Sequence, residues 1–227
     1  MIPKIIHYCW FGGKEKPSSV LKMISTWKEN LPNYTIKEWN ETNFDVHQCQ
    51  FVNEAYEKKK YAFVADYARL YSLYKYGGIY FDTDVEVLKP FDDFEKFDFF
   101  MGLEMDRQVG TSVIGVKPSH SLIKEFLDYY NKRVFVKQDG SLDRTPNTVI
   151  ISKILRKHNF ALVNKCEIVD NMAIFPMDYF SPVNILTEKL EITERTYSIH
   201  HFTGSWQSPK EKLILKAKML LRRFLKK

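Results

Sequence analysis

A helix, a glycine pair, a strand and two aspartates follow one another without interruption in residues 61–85, YAFVADYARLYSLYKYGGIYFDTDV. Apolar residues recur at helical spacing through 61–76, and two consecutive glycines are a common way to end a helix. Residues 79–81 are apolar and aromatic, as expected for a short buried strand. Because the strand leads directly into Asp82 and Asp84, the fold must bring a helix face and two carboxylates to one edge of a sheet.

The two aspartates are separated only by Thr83. In an extended segment, side chains two residues apart point to the same side, and two close carboxylates raise each other's pKa unless a cation neutralises them. Mg²⁺ and Mn²⁺ are the usual partners of such a pair, and they complete their coordination with substrate phosphates. These three residues alone are equally compatible with a solvated turn that carries paired acids.

Asp66 and Arg69 stand three residues apart on the preceding helix and therefore share one of its faces. Alone, they would be interpreted as an ion pair on the helix surface. The apolar neighbours Ala65 and Leu70 predict instead that the pair is at least partly buried. A buried arginine beside an acidic metal site is suited to the ribose and phosphates of a nucleotide.

A second polar cluster occurs at 199–206, IHHFTGSW. His200 and His201 are adjacent, so in a strand only one of them can face a ligand at the sheet edge. A lone histidine is most often structural, but a histidine that joins two aspartates completes a metal site that favours Mn²⁺ over Mg²⁺. Gly204 allows close backbone approach, and Trp206 offers a flat ring and an indole N–H donor.

Strands and helices alternate along the chain. Predicted strands cover 2–10, 34–39, 79–81, 85–88, 97–103, 111–116 and 197–202, and predicted helices cover 18–30, 61–76, 121–133, 148–158 and 212–225. Either Ser18 or Ser19 is expected to cap the first helix. The alternation predicts an α/β fold with a mostly parallel central sheet flanked by helices. The motifs lie at strand ends, where open α/β sheets bind ligands.

The basic residues are concentrated at the C-terminus. The chain carries a net charge of +6, and residues 209–227 contribute eight basic residues and a single acid, so the remainder is close to neutral. This distribution argues against a general nucleic-acid-binding surface. The chain also lacks a run of about 20 apolar residues that would span a membrane, and its three cysteines are widely spaced. We therefore expect a cytoplasmic protein with reduced cysteines.

Residues 209–227 have the pattern of a basic amphipathic helix. Its apolar residues fall on one arc, flanked by lysines and arginines: Leu213, Ile214, Ala217, Leu220, Leu221, Phe224 and Leu225. One interpretation is a terminal helix docked on the domain. The interpretation that we favour is a single domain at 1–208, followed by a helix that makes peripheral contact with the anionic inner face of a membrane.

Three motifs together resemble one enzyme family: HxxW at 7–10, DxxRxxxLYxxGGxYxDxDV at 66–85 and HxxGxW at 201–206. They are similar to the DxD-motif sugar-transfer glycosyltransferases, a group that includes yeast-type mannosyltransferases, bacterial capsular polysaccharide transferases and the catalytic domains of large glucosylating cytotoxins. The resemblance implies a GT-A fold and a retaining, divalent-metal-dependent transfer of a hexose from a nucleotide sugar. UDP-hexose is favoured over GDP-mannose. The implied acceptor is a glycan or lipid-linked glycan of bacterial capsule, lipooligosaccharide or exopolysaccharide synthesis.

The resemblance also implies residue roles. Trp10 matches the tryptophan that stacks on the nucleotide base, and Trp206 matches the one that hydrogen-bonds the leaving diphosphate. Asp82 and Asp84, with His201 as the third ligand, match the residues around the metal. Asp66 and Arg69 match the pair that contacts ribose and diphosphate. The implied assignments are, for donor nucleotide binding, Trp10, Phe11, Asp66, Arg69, Tyr80 and Asp82, and, for catalysis, Asp82, Asp84, Arg69 and Trp206.

The chain departs from the family pattern in two places. Thr111 and Ser112 stand where relatives often carry an asparagine pair, and a later TGP-like segment reads TPN at 145–147, so the donor sugar and the acceptor stay open. Asn147 is a candidate sugar contact. Glu104 and Asp106 follow a predicted strand and could lie under the sugar, although a surface loop is the alternative. The resemblance is compatible with a front-face reaction that needs no protein nucleophile.

Two other functions fit parts of the sequence. DTDVEV at 82–87 also fits the signature of aspartate-nucleophile phosphatases, but that motif normally ends the first strand of its domain. A non-enzymatic adaptor at a membrane surface would explain 209–227. It would leave the aspartates, Arg69 and His201 without a role.

Overall fold

The computed structural model describes residues 1–184 and 189–204. Trp206 and the helix predicted within 209–227 lie outside these residues, so the roles given to them, and the division of the chain at 208, stay predictions. Within the described ranges, no helix combines the length and apolar character needed to cross a bilayer.

Within the described residues, the predicted helices and strands occur in the predicted order. The helices are α1 Ser18–Asn30, α2 Gln50–Glu57, α3 Tyr61–Tyr76, α4 Ser121–Asn131, α5 Asn147–Lys157 and the single turn α6 Met177–Phe180. The strands are β1 Ile5–Cys9, β2 Thr35–Trp39, β3 Gly78–Phe81, β4 Val85–Val87, β5 Phe99–Met105, β6 Gln108–Val116, β7 Glu167–Val169, β8 Met172–Phe175, β9 Val183–Asn184, β10 Lys189–Leu190 and β11 Ser198–His200. The predicted cap of α1 is wrong, because Pro17 occupies the N-cap position and, within the described residues, makes no side-chain capping hydrogen bond.

The central sheet has seven described strands in the order β2-β1-β3-β6-β5-β8-β7. Strand β1 is parallel to β2 and β3, and β5 is parallel to β8, whereas the other three neighbouring pairs are antiparallel. The α/β class is confirmed, but the expectation of a mostly parallel sheet is wrong. Two of the three antiparallel pairs, β5–β6 and β7–β8, are hairpins, and two strands joined by a short turn must run antiparallel.

Helices cover both faces of the sheet, so successive residues of β3 enter different cores. Tyr80 packs into the core on the α3 side, whereas Ile79 and Phe81 pack into the core beneath α1. The ring of Phe81 lies 5.4 Å from that of Trp27 on α1. This alternation fixes which residue of β3 faces α3, and it places Tyr80 on the same side as the polar face of that helix.

The glycine pair between α3 and β3 makes a turn that other residues tolerate poorly. Gly77 and Gly78 have φ values of +63° and +103°. A Cβ on Gly77 would lie 2.7 Å from the backbone nitrogen of Pro118, and a Cβ on Gly78 would lie 2.4 Å from the carbonyl oxygen of Ile5. The turn therefore depends on glycine for its backbone conformation and for the close approach of β1.

Gly78→Ala is expected to lower the free energy of unfolding by about 3 kcal/mol, because it adds left-handed strain to a clash with the β1 backbone. Gly13→Ala is the matched control, since Gly13 has φ +65° and a Cβ added there would meet no atom of the described residues within 4 Å. Its expected cost is about 1 kcal/mol of strain alone. Urea unfolding of both variants measures the difference, and equal losses would show that the approach of β1 does not matter.

His7 connects β1, β2 and the glycine turn from a fully buried position. The indole Nε1 of Trp39 donates to His7 Nδ1 at 3.0 Å, and His7 Nε2 lies 2.8 Å from the carbonyl oxygen of Gly77. Because an indole N–H only donates, Nδ1 is the acceptor and Nε2 carries the hydrogen of a neutral imidazole. Burial lowers the pKa of His7 to about 4, although the bond to Gly77 opposes this shift.

The depressed pKa of His7 predicts acid destabilisation. Its ordinary value is 6.5, so acidification protonates the unfolded chain before the folded one. The contribution of His7 is complete above pH 6.5 and decreases as the pH falls, with a loss of about 3 kcal/mol at pH 4. Urea unfolding from pH 7 to pH 4 should show a smaller pH-dependent loss for His7→Gln than for the wild type. Parallel pH profiles of the two proteins would contradict this.

Candidate functional site

The two aspartates of the DxD motif meet through a turn. The backbone N–H of Val85 donates to the carbonyl oxygen of Asp82 at 3.0 Å, while the N–H of Asp82 donates to the carbonyl oxygen of Ser112 at 2.9 Å. The chain therefore leaves β6 at Asp82 and turns there into β4. The expectation of an extended segment is wrong here, and the turn brings the carboxylates of Asp82 and Asp84 together.

Strand β11 returns to the motif from the C-terminal part of the chain. It pairs antiparallel with β4, with His200 opposite Val85, and the N–H of His201 donates to the carbonyl oxygen of Asp84 at 3.0 Å. His200 is buried, with Nε2 3.4 Å from Asp84 Oδ1. His201 lies on the other face of the strand, with Nε2 2.8 Å from Glu86 Oε2. The structure therefore contradicts the placement of His201 at the aspartates and puts His200 there.

Asp82, Asp84 and His200 each offer one ligand atom, and these three atoms lie within 4.8 Å of one another. Two carboxylates and one imidazole suit Mn²⁺ or another divalent ion of similar ligand preference. Burial alone would raise the pKa of Asp84, but His200 and the N–H and hydroxyl of Thr203 lower it to about 2. Burial likewise opposes protonation of His200, but the carboxylates of Asp84 and Glu104 raise its pKa.

Arg69 occupies the centre of the site and is 5% exposed. Its Nη2 lies 3.0 Å from Asp66 Oδ1 and 3.3 Å from Asp82 Oδ1. Its Nη1 donates to the carbonyl oxygen of Thr111 at 2.7 Å, and Nε donates to the carbonyl oxygen of Ala65 at 3.4 Å. Each guanidinium nitrogen thus has a protein partner, so Arg69 holds α3, β6 and the DxD turn together.

Asp66 links the arginine to the start of α5. The amide of Asn147 donates to Asp66 Oδ1 at 2.6 Å and to the hydroxyl of Thr111 at 3.0 Å. Burial, reinforced by the charge of Asp82 and opposed by Arg69, raises the pKa of Asp66 to about 6. Asn147 therefore joins the same cluster as Asp66 and Arg69.

The aromatic residues proposed for donor binding occupy different environments. Tyr80 is 1% exposed, and its hydroxyl donates to Asp82 Oδ1 at 2.9 Å. The centre of its ring lies 4.6 Å from the Arg69 guanidinium. Because Tyr80 is buried, it would affect a bound ligand only by positioning Asp82 and Arg69. Phe11 is buried with its ring edge on Phe44. Trp10 is partly buried, with its indole N–H donating to the carbonyl oxygen of Lys14 at 2.6 Å.

The two acidic residues of the β5–β6 hairpin lie in different environments. Asp106 is exposed in the turn between the strands. Glu104 is mostly buried at the end of β5, with Oε2 3.8 Å from His200 Nδ1. Burial raises the pKa of Glu104, and the nearby Asp82 and Asp84 add to this, whereas His200 opposes it. Glu104 therefore belongs to the cluster and Asp106 lies apart from it.

Thr203 is a contact of the site that the sequence motifs missed. Its N–H and hydroxyl both donate to Asp84 Oδ2, at 2.9 and 3.1 Å. Position 203 is an unspecified residue within HxxGxW, and only the pairing of β11 with β4 brings it to the aspartate. No local sequence signal distinguishes it from other surface threonines.

The comparisons with known proteins agree with this arrangement. Residues 17–100 match the family described as the glycosyltransferase sugar-binding region containing DXD motif. Over 203 residues the chain is 30% identical to an uncharacterized glycosyltransferase of Acanthamoeba polyphaga mimivirus, in an alignment that covers 83% of this chain and 76% of that protein. The chain belongs to the DXD-motif glycosyltransferases. This membership does not support the phosphatase or adaptor alternatives.

Two further relatives of this DXD-motif glycosyltransferase are more distant. A human alpha-1,4-N-acetylglucosaminyltransferase is 28% identical over 95 residues, which are 40% of this chain and 27% of that protein. The solved structure of the PaToxG glycosyltransferase superposes with a TM-score of 0.54 at 21% identity and covers 69% of each chain. At this identity the likeness concerns the fold, and it agrees with the expected GT-A architecture.

Arg69→Gln is expected to lower the free energy of unfolding by about 3–5 kcal/mol, because it leaves the carboxylates of Asp66 and Asp82 without their buried cation. Arg195→Gln is the control, since Arg195 pairs with Asp178 at 2.8 Å but has a side chain that is 62% exposed. That variant should lose at most about 1 kcal/mol. Urea unfolding decides, and a small loss for Arg69→Gln would contradict its central structural role.

Proposed function

We propose that this glycosyltransferase moves a hexose from a nucleotide sugar to a glycan acceptor with the assistance of Mn²⁺ or Mg²⁺. The observation that carries the proposal is the convergence of Asp82, Asp84 and His200 next to the buried Arg69. Sugar transfer leaves negative charge on a departing diphosphate. A divalent cation, when bound by these three side chains, would stabilise that charge where it develops.

The protein side chains have separate tasks in this proposal. Asp82, Asp84 and His200 would hold the cation, and Asp82, whose carboxylate also contacts Arg69, is proposed to take part in ribose binding as well. Arg69 acts through its charge and by fixing Asp66 and Asp82, since its nitrogens are occupied by protein partners. Trp206, which the sequence assigns to the leaving diphosphate, stays a prediction.

The donor nucleotide is proposed to lie across the ends of β1 and β3. These strands are parallel, with His7 opposite Tyr80, so Trp10 follows β1 at about the level where Asp82 and Thr83 follow β3. The carboxyl ends of neighbouring parallel strands form the ligand edge of α/β sheets. Trp10 is therefore the candidate for stacking on the base. UDP-hexose remains the favoured donor on the family resemblance.

Asp66 and Asn147 are proposed to contact hydroxyl groups of the donor sugar. The contacts that Arg69 and Asn147 make with Asp66 both go to Oδ1. A carboxylate accepts from several donors, so its other oxygen is suited to a sugar hydroxyl. An amide that already bonds Asp66 and Thr111 is held in a fixed orientation, which suits discrimination among hexoses.

We propose retention of anomeric configuration by a front-face reaction, in which a diphosphate oxygen assists the acceptor hydroxyl. Of the two carboxylates considered as sugar contacts, Asp106 is exposed in a turn and Glu104 faces His200. The acceptor in a bacterial surface polysaccharide, a cytoplasmic location and membrane contact through 209–227 rest on sequence alone and are proposed on that basis.

The proposal is tested by screening nucleotide sugars for slow hydrolysis, which needs no known acceptor. Hydrolysis of a UDP-hexose should require Mn²⁺ or Mg²⁺ and stop when the metal is chelated. Asp84→Asn should reduce the rate by about 100-fold or more, because it weakens the charge that holds the cation. Asp98→Asn, which removes a solvent-accessible partner of Lys117, should leave the rate unchanged. Hydrolysis that survives chelation and Asp84→Asn would overturn the proposal.

A further inference from the structure

His200 has one ring nitrogen without a hydrogen-bond partner. Its Nε2 faces Asp84 Oδ1 at 3.4 Å, but Nδ1 is buried and unpaired within the described residues. A buried polar atom without a partner is costly, so such an atom in a native fold requires an explanation. The direction in which Nδ1 points is therefore informative.

The group that Nδ1 points toward is the carboxylate of Glu104. Glu104 Oε2 lies 3.8 Å away, which is beyond hydrogen-bond distance, and the glutamate side chain is 15% exposed. The strand pairing shifts register on both sides of Leu103 in the β5–β6 hairpin, and irregularities of this kind often redirect side chains at functional sites. Gly110 on β6 leaves room for the carboxylate, since a Cβ there would lie 3.0 Å from Glu104 Oε2.

We propose that Glu104 is a positioning residue that accepts a hydrogen bond from His200 Nδ1–H and thereby presents the lone pair of His200 Nε2 to the cation. The inference rests on the proposed metal-dependent function and assigns Glu104 no contact with the sugar. A movement of about 1 Å would bring the two atoms into hydrogen-bond range. The site then consists of three ligands and one carboxylate behind the imidazole.

A histidine that binds a metal almost always donates its other ring N–H to a carboxylate, a backbone carbonyl or water. A neutral imidazole that binds a cation through Nε2 carries its hydrogen on Nδ1, and a carboxylate that accepts this hydrogen fixes both the tautomer and the ring orientation. Glu104 is placed to meet this need, since its carboxylate oxygen Oε2 lies 3.8 Å from Nδ1 and its side chain is 15% exposed. A carboxylate behind the ring also increases the basicity of Nε2.

The molecule contains a matched control in the adjacent residue. His201 also pairs with a carboxylate, with Nε2 2.8 Å from Glu86 Oε2, but this pair lies on the opposite face of β11 and is about one-third exposed. The two pairs contain the same chemical groups one residue apart. If only proximity to an acid mattered, removing either carboxylate would have a similar effect on cation binding.

The experiment is a calorimetric titration of the full chain with Mn²⁺ alone. Glu104→Met, which keeps the length of the side chain and removes the acceptor, should weaken Mn²⁺ binding by about 10- to 100-fold. Glu104→Gln, which keeps a neutral acceptor, should give a smaller loss. Glu86→Gln should bind Mn²⁺ like the wild type.

A double-mutant cycle distinguishes action through His200 from a direct effect. His200→Ala should weaken binding, and Glu104→Met should have no further effect in that background. Pulsed EPR of bound Mn²⁺ should detect nitrogen coupling in the wild type, altered in Glu104→Met and lost in His200→Ala. Thermal unfolding without metal shows whether each variant is folded, and Glu104→Gln carries the test if Glu104→Met is not.

The outcomes separate the two proposals. If the wild type does not bind Mn²⁺, the metal site fails and the proposed function fails with it. If the wild type binds Mn²⁺ and neither Glu104 variant differs from it, only this inference is overturned. An equal loss from Glu104→Met with and without His200 would also overturn it, because Glu104 would then act on the cation independently of the imidazole.

Discussion

The buried guanidinium of Arg69 is the interaction on which the site depends. One side chain, 5% exposed, reaches a carboxylate on its own helix, a carboxylate in the DxD turn and a backbone carbonyl on β6. A cation removed from water in this way is tolerated only if anionic and polar partners surround it. The packing of α3 on the sheet and the position of Asp82 are therefore coupled, so the glycine turn that joins α3 to β3 has to place both correctly.

The same interaction explains how two acids can stand so close in sequence. Asp82 is bound by Arg69 and by the hydroxyl of Tyr80, whereas Asp84 is bound by His200 and Thr203. Each carboxylate thus belongs to a different set of partners, one on the α3 side and one on the β11 side. None of these described contacts is shared by both acids, and a divalent cation between them would supply a common partner. The geometry is that of a site prepared for positive charge.

Local signals in the sequence were sufficient for much of this architecture. The predicted helix over 61–76 coincides with α3, and the strand, the glycine stop and the convergence of Asp66, Arg69 and Asp82 follow from short-range spacing. The mixed sheet was not predicted, because helix and strand alternation does not reveal that β5 and β6 enter the centre as a hairpin. The turn at Asp82–Val85 was missed for a related reason, since a short motif between two strands does not show where the chain reverses.

The choice between His200 and His201 shows where sequence reasoning ends. Alternation along a strand states that only one of them can face the aspartates, but it does not say which one. The register of β11 on β4 decides, and that register depends on contacts between residues more than 100 positions apart. It puts His200 opposite Val85, between Asp84 and Glu104, and leaves His201 to Glu86. Since the two histidines have the same chemistry, only the carboxylates that the fold brings to each ring distinguish the candidate metal ligand His200 from the ion pair of His201 with Glu86.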